Sequence, residues 1–263
     1  MLVLAIIMDN KVKENAKPYF LEADSDTLAI LVHGFSGSPY DMKELAKFLF
    51  NRGISVKAPL LAGHGSHWTK LEKTSYSDWW YSVEKEVKES FGRFKKIFLI
   101  GYSFGGNLSL DLAARYPNEI KGLVTMGVSV FLRKELLIRT FLPVFHLLLK
   151  KYHKRYVKKD HLFEYEESGS YVYIPTKNIY DFYEFIKNYT KKELHQVKVP
   201  SLIIHSKDDA ITHPLSSQFV YDRIASAQKE LLMLEEINHN PLMSKRRDLI
   251  FNKVLDFITL NKN

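Results

Sequence analysis

Short apolar runs alternate with longer amphipathic stretches along most of this 263-residue chain. The apolar runs have the length of buried strands, and the stretches between them carry apolar residues at the three- and four-residue spacing of a helix face. This order is typical of a mostly parallel sheet with helices on both faces, so we predict an α/β fold. The predicted strands are 28–32, 54–58, 96–101, 122–126, 201–205 and 230–234, and the predicted helices are 41–51, 77–90, 105–116, 215–225 and 247–260.

The composition indicates a globular protein with a substantial core, because 46% of the residues are hydrophobic and 13% are aromatic. The chain contains no cysteine, which excludes disulfide frameworks, thiolate zinc sites and a cysteine nucleophile. A cysteine-free chain is compatible with a reducing compartment, and we expect a cytoplasmic protein. Residues 1–8 are apolar but too short to span a bilayer, and we interpret them as an N-terminal strand or as a misassigned start with Met8 as the initiator.

The alternation breaks between residues 126 and 201, where roughly 70 residues separate two predicted strands. This segment is basic and rich in aromatic residues, and Pro143 and Pro175 are expected to interrupt helices in it. We interpret residues 129–195 as an inserted cap subdomain over the strand ends. Residues 1–128 and 196–263 then form the two parts of the core domain.

The net charge of +8 is concentrated in the same segment. Nine basic residues and one acid lie between residues 133 and 159, which leaves 29 basic and 29 acidic residues in the rest of the chain. We therefore expect no nucleic-acid partner, with RNA binding through Tyr152 and Tyr156 as an alternative. We interpret residues 136–149 as a helix packed on the core, with an interfacial helix making peripheral contact with anionic membranes as the alternative.

A candidate nucleophile lies in the segment Gly101-Tyr-Ser-Phe-Gly, between a predicted strand and a predicted helix. A serine at such a sharp strand-to-helix turn is a nucleophile elbow, and the flanking glycines avoid collisions with the neighbouring strand and helix. We predict Ser103 as the nucleophile. The alternative is that Ser103 only caps the helix that follows it.

A serine nucleophile needs a base that is in turn oriented by an acid. The carboxyl ends of parallel strands share one edge of the sheet, and two late strands are followed there by Asp208, Asp209 and His239. We predict His239 as the base and Asp208 as the acid, although spacing alone leaves Asp209 open. His205 lies inside an apolar strand and is assigned to the core.

The developing oxyanion of the transition state needs two N–H donors. One is expected from Phe104, the residue after the nucleophile, and the second from Phe35 in the glycine-rich loop that follows the first predicted strand. His33 precedes that loop, and we interpret it as a support for the loop rather than as a base. The residues expected to line the substrate pocket are Gly34, Tyr102, Phe131 and Tyr180.

No metal or cofactor is expected. His64 and His67 form a pair without a third ligand at a matching spacing, and no HExxH helix occurs. Neither of the common glycine-rich phosphate loops is present.

Six motifs together resemble the microbial carboxylesterase and monoacylglycerol lipase group of the α/β-hydrolase superfamily. They are Val32-His-Gly-Phe-Ser-Gly-Ser, Ala58-Pro-Leu-Leu-Ala-Gly-His-Gly, Ser77-Asp-Trp-Trp, Gly101-Tyr-Ser-Phe-Gly-Gly, Lys207-Asp-Asp-Ala-Ile and Asn238-His-Asn. The resemblance implies an α/β-hydrolase fold and the triad Ser103, Asp208 and His239, with Phe35 and Phe104 as oxyanion donors.

It also implies a small-molecule ester substrate, such as a short- to medium-chain acyl ester or a monoacylglycerol, and no cofactor. The inserted segment is larger and more basic than the caps of this group, so the acyl-chain preference is not implied. The alternative function is a non-catalytic protein that binds a small hydrophobic ligand. The sequence does not indicate the oligomeric state.

Overall fold

The computed structural model describes residues 11–133, 140, 142, 144, 149–154, 165 and 167–262. The expected N-terminal strand at residues 1–8 and most of the expected helix at 136–149 lie outside these residues. None of the described helices is both long enough and apolar enough to cross a bilayer.

The described strands form a central sheet and one separate pair. They are β1 (Tyr19–Leu21), β2 (Thr27–Val32), β3 (Ser55–Ala58), β4 (Lys96–Tyr102), β5 (Ile120–Met126), β6 (Lys151–His153), β7 (Tyr173–Pro175), β8 (Ser201–Ser206) and β9 (Lys229–Leu234). Seven of these described strands form a sheet in the order β1-β3-β2-β4-β5-β8-β9. β1 runs antiparallel to β3, and every other neighbouring pair in this sheet is parallel.

Helices lie between the successive parallel strands of the sheet, and one more helix follows the last strand. They are α1 (Lys43–Phe50), α2 (Trp68–Leu71), α3 (Tyr76–Ser90), α4 (Phe104–Arg115), α5 (Thr176–Phe185), α6 (Lys191–Glu193), α7 (Leu215–Arg223) and α8 (Arg247–Asn261). A π-helical turn at Ile186–Thr190 joins α5 to α6, and short 3-10 turns lie at Glu14–Ala16, Pro39–Met42, Leu194–Gln196 and Pro241–Met243. The predicted α/β fold is confirmed, and the six predicted strands agree with the structure to within two residues at each end.

Both faces of the central strands are buried, which explains why those strands are continuous apolar runs. In β2, Leu28 and Ile30 pack into one hydrophobic cluster while Ala29 and Leu31 pack into the other, because successive strand side chains point to opposite faces. The first cluster includes side chains from α3 and α4, and the second includes side chains from α1 and α8. The sheet edge that carries the carboxyl ends of the parallel strands is therefore held between two packed helix layers.

The described part of the insertion contains the antiparallel pair β6–β7 and the helix α5. Pro175 ends β7 and precedes α5, so this proline starts a helix where we expected it to interrupt one. The insertion contacts the core where the Asn178 side-chain amide donates to the Thr74 carbonyl at 2.8 Å. The division of the chain into a core and a cap at residues 129–195 stays a prediction.

A buried histidine supports the loop that follows β2. His33 is fully buried, and its Nε2 accepts a hydrogen bond from the backbone N–H of Leu61 at 3.1 Å. Its Nδ1 therefore carries the proton and donates to the Gly34 carbonyl at 2.9 Å. Burial, reinforced by the neighbouring His64, lowers the pKa of His33 to about 3. This geometry agrees with the interpretation of His33 as a support.

A second buried histidine ties the loop after β3 to the loop after β2. His64 Nε2 accepts from the backbone N–H of Ser36 at 3.0 Å, and its Nδ1 donates to the Ala62 carbonyl at 3.0 Å. Burial lowers the pKa of His64 to about 4. Both loops thus depend on neutral imidazoles in which one nitrogen donates a hydrogen bond and the other accepts one.

Acidification is expected to destabilise the fold through these histidines. The folded pKa of His64 lies below the ordinary value of 6.5, so below that pH the unfolded chain takes up a proton that the folded chain does not. Between pH 7 and pH 5 the free energy of unfolding should therefore fall by about 2 kcal/mol more in the parent than in a His64→Gln variant, which carries no titratable group there. Urea denaturation at both pH values measures this difference, and equal pH dependence in the two proteins would contradict it.

Candidate active site

Ser103 occupies a strained turn between β4 and α4. Its backbone angles, φ 52° and ψ −121°, lie in a region that non-glycine residues rarely adopt. Glycines on either side allow three backbone segments to meet there, since a Cβ atom on Gly101 would overlap the Gly105 carbonyl group and one on Gly105 would overlap the Val32 carbonyl oxygen. The turn therefore presents the Ser103 hydroxyl at the carboxyl edge of the sheet.

His239 reaches this hydroxyl from the loop after β9. The distance from His239 Nε2 to Ser103 Oγ is 3.0 Å, which is within hydrogen-bonding reach. The Tyr102 ring lies against the His239 ring with 5.4 Å between centroids. Ser103 is only 9% exposed, so this contact is largely shielded from solvent. The structure thus brings the predicted nucleophile and the predicted base together.

The carboxylate that contacts His239 belongs to Asp209, and not to Asp208 as predicted. His239 Nδ1 lies 2.8 Å from Asp209 Oδ2, and Asp209 is 1% exposed. Asp208 is exposed, and its carboxylate accepts the backbone N–H of Glu236 at 2.7 Å. The two adjacent carboxylates lie in different surroundings, and only the carboxylate of Asp209 reaches the imidazole of His239.

Asp209 is fixed by an Asx-type turn of its own. Its Oδ1 accepts the backbone N–H groups of Ile211 and Thr212 at 2.8 and 2.9 Å, and its Oδ2 accepts the Thr212 hydroxyl at 2.6 Å and lies 3.3 Å from His205 Nε2. Burial by itself would raise the pKa of Asp209, but the hydrogen bonds from His205, His239 and Thr212 outweigh it and hold the pKa well below its usual range. The carboxylate is therefore ionised and keeps the proton of His239 on Nδ1. The pattern Asp-x-x-Thr is the sequence signal that favours Asp209.

The glycine-rich loop after β2 lies directly against the nucleophile. A Cβ atom on Gly34 would lie 3.2 Å from Ser103 Cβ and 3.4 Å from the Tyr102 ring. The next residue, Phe35, and the first residue of α4, Phe104, have backbone N–H groups that donate to no acceptor among the described residues. Two N–H groups beside a serine hydroxyl can stabilise an oxyanion on a bound carbonyl group.

Sequence reasoning missed Ser129, which lies in the loop after β5. Its Oγ lies 3.3 Å from Ser103 Oγ, and it is 1% exposed. Asn107 holds Ser129 on both sides, because the amide group donates to the Ser129 carbonyl at 2.8 Å and accepts its N–H at 3.2 Å. The position of Ser129 after a central strand is the signal that could have identified it, since the other site loops follow strands in the same way.

Aromatic side chains form a wall beside the glycine-rich loop. The Phe35 ring stacks on Phe182 of α5, with 5.3 Å between centroids and 25° between planes, and it also packs against Trp79 and Phe104 at 5.2 and 6.2 Å. Phe182 was not among the predicted pocket residues. The insertion therefore supplies an apolar ring to the surroundings of the candidate oxyanion site.

The two predicted pocket residues of the insertion have different surroundings. Phe131 packs edge-on against Phe219 at 5.1 Å, and the Lys191 ammonium lies 4.7 Å from its ring centroid. Tyr180 is half-buried on α5. Contact of either residue with substrate stays a prediction. Within the described part of the chain, no group of three or more histidine and acidic side chains is arranged to hold a metal ion.

Comparison with known proteins identifies several relatives along nearly the whole chain. The chain is 29% identical over 246 residues to a thermostable monoacylglycerol lipase from Bacillus sp. (strain H-257), covering 94% of this chain and 95% of the relative. It is 26% identical over 244 residues to a carboxylesterase from Bacillus subtilis (strain 168), covering 92% of this chain and 96% of that protein.

Solved structures agree with this fold assignment. A solved structure from work on the metagenome-derived lipolytic enzymes LipS and LipT superposes with a TM-score of 0.84 and 25% identity, over 95% of this chain and 99% of its own. A monoacylglycerol lipase from Paleococcus ferrophilus superposes with a TM-score of 0.78 and 16% identity, over 93% of this chain and 98% of its own, and supports the fold alone.

A family model matches most of the chain as well. The model described as serine aminopeptidase, S33, covers residues 23–246, a range that includes Ser103, the glycine-rich loop after β2, Asp209 and His239. On the strength of this match, the protein belongs to the serine aminopeptidase S33 family of α/β-hydrolases.

Proposed function

We propose that this protein hydrolyses carboxylic monoesters through an acyl-enzyme intermediate on Ser103, with His239 as the base and Asp209 as the acid. The observation that carries this proposal is the line of contacts from Ser103 Oγ to His239 Nε2 at 3.0 Å and from His239 Nδ1 to Asp209 Oδ2 at 2.8 Å. The N–H groups of Phe35 and Phe104 are the proposed oxyanion donors beside it.

The substrate class is supported by the relatives and by the aromatic wall. The two bacterial relatives are named a monoacylglycerol lipase and a carboxylesterase, and each aligns over more than nine-tenths of this chain. The rings of Phe35, Phe104 and Phe182 lie together beside the nucleophile, and they suit an apolar acyl group better than a charged one. Short- to medium-chain acyl esters and monoacylglycerols are therefore the proposed substrates.

The reaction proceeds in two steps. His239 Nε2 removes the proton from Ser103 Oγ, which attacks the ester carbonyl carbon, and the resulting oxyanion accepts hydrogen bonds from the N–H groups of Phe35 and Phe104. The tetrahedral intermediate collapses, and the alcohol leaves with the proton held by His239. Water then gives a proton to the same imidazole and attacks the acyl carbon, which releases the carboxylic acid and restores Ser103. Asp209 stays ionised and stabilises the imidazolium in both steps.

The proposed cellular location is the cytoplasm, which the cysteine-free composition supports. Contact of the basic insertion with anionic membranes stays an alternative, supported by the nine basic residues between residues 133 and 159. With or without membrane contact, the proposed binding partner is a small-molecule ester substrate.

Removing the nucleophile is the direct test of the proposed function. Ser103→Ala should lower the turnover of p-nitrophenyl butyrate by about 10³-fold or more, because the acyl-enzyme can no longer form. A fluorophosphonate probe should label the parent and not the variant. Ser77→Ala, at an exposed position on α3, serves as the control and should keep parental activity. Full activity of Ser103→Ala would contradict the mechanism.

The two adjacent aspartates give a matched pair of variants. Asp209→Asn should lower kcat by about 10³- to 10⁴-fold, because an amide at this position no longer holds the imidazole in the required tautomer. Asp208→Asn should stay within about threefold of the parent, because Asp208 is exposed and the amide oxygen of asparagine can still accept the Glu236 N–H. Steady-state kinetics with p-nitrophenyl butyrate measures both, with melting temperatures to verify folding. The assignment of the acid is wrong if Asp208→Asn causes the larger loss.

A further inference from the structure

A buried lysine of the insertion contacts the glycine-rich loop of the core. Lys154 directly follows β6 and is 4% exposed. Its ammonium donates to the Ser36 hydroxyl oxygen at 2.5 Å and to the Tyr165 hydroxyl at 2.7 Å. Burying a charged lysine is unfavourable in free energy unless its N–H donors find acceptors. A buried lysine at this position therefore indicates a structural or functional role.

Its partner Ser36 is the residue that follows the proposed oxyanion donor Phe35. The Ser36 backbone has a φ of 62°, in the left-handed region that favours glycine. Its N–H donates to His64 Nε2 at 3.0 Å, its carbonyl accepts the Tyr171 N–H at 2.9 Å, and its hydroxyl donates to the Phe35 carbonyl at 2.5 Å. Contacts on all three polar groups thus hold Ser36 in an unfavourable backbone conformation.

The chemistry of the ammonium group decides which group donates the hydrogen bond between Lys154 and Ser36. An ammonium can only donate hydrogen bonds, so the Ser36 oxygen must accept from it. The single hydroxyl hydrogen of Ser36 is then left to donate to the Phe35 carbonyl. A donated bond from a cation also polarises the hydroxyl and strengthens the bond that it donates in turn.

We propose that Lys154 is a positioning residue for the oxyanion site. Through the Ser36 hydroxyl, its ammonium fixes the Phe35 carbonyl and with it the backbone that carries the Phe35 N–H. The inference rests on the proposed function, in which this N–H stabilises the oxyanion. Lys154 acts on the reaction only through Ser36 and Phe35.

The insertion is joined to the same loop at two more points. The Ser38 hydroxyl donates to the Ser168 carbonyl at 2.5 Å, and the Tyr171 N–H donates to the Ser36 carbonyl. Burial lowers the pKa of Lys154 to about 7, and the charge of Asp41 on the core opposes this shift. Docking of the insertion and the geometry of the glycine-rich loop are therefore coupled through these contacts, and Lys154 is one of the links between them.

A double-mutant cycle between Lys154 and Ser36 tests the inference. Lys154→Met keeps the length of the side chain and removes the donor, while Ser36→Gly removes the hydroxyl and adopts the observed φ without strain. Each variant should lower kcat for p-nitrophenyl butyrate by about 10-fold with KM within about threefold, since the loss of a whole oxyanion donor costs about 10²- to 10³-fold. The double variant should be no slower than either single variant, because both remove the same link.

Binding of a trifluoromethyl ketone gives a readout that a merely structural role would not move. Its hemiketal oxyanion on Ser103 occupies the oxyanion site, so its inhibition constant should rise in each variant by the factor by which kcat/KM falls. Lys151→Met is the matched control, because Lys151 lies on β6 just before Lys154, is exposed and contacts the Trp68 and Tyr173 rings. This control should keep parental kinetics and parental inhibition.

The outcomes separate the inference from the proposed function. If the parent neither hydrolyses the ester nor binds the ketone, the proposed function fails. If the parent is active but the losses in the cycle are additive, or ketone inhibition is unchanged in the variants, the inference fails and the function stands. Should Lys154→Met not fold, Ser36→Gly alone decides, because unchanged kcat and ketone inhibition in that variant would overturn the role of the hydroxyl.

Discussion

The close approach of three backbone segments at Ser103 is the constraint on which the site depends. β4 and α4 can approach so closely only because Gly101 places no Cβ atom against Gly105, and α4 can approach the end of β2 only because Gly105 places none against Val32. The strained serine at φ 52° is held there by the strand before it and the helix after it. With this turn fixed, the loops that follow β2, β8 and β9 bring Phe35, Asp209 and His239 to one edge of the sheet.

Buried polar side chains then hold these loops in place. In Asp209, His33 and His64, every side-chain oxygen or nitrogen makes a hydrogen bond. Asp209 accepts bonds from two backbone N–H groups and from side chains, so a buried carboxylate stays ionised beside His239. His33 and His64 stay neutral, because each needs one nitrogen as an acceptor. The polar network extends from the core into the insertion through Ser36 and Lys154. Their contact joins the glycine-rich loop to a segment far along the chain.

The sequence predicted the parts of this structure that depend on local pattern. The central strands were predictable because burial on both faces makes each one a continuous apolar run, whereas β1, with only three half-buried residues, carries no such signal. Ser103 and His239 were predicted as nucleophile and base because each of them follows a predicted strand. The choice between Asp208 and Asp209 required the turn that ends at Thr212. The contacts of Ser129 and Lys154 depend on packing between distant segments, which periodicity does not encode.

The central claim is that Ser103 carries the acyl group during turnover. Intact-protein mass spectrometry after rapid acid quenching with a slowly hydrolysed p-nitrophenyl ester, followed by peptide mapping, tests it most directly. The account predicts one acyl group per chain, located on the peptide that contains Ser103. Turnover without a covalent adduct, or an adduct on another residue, would contradict it.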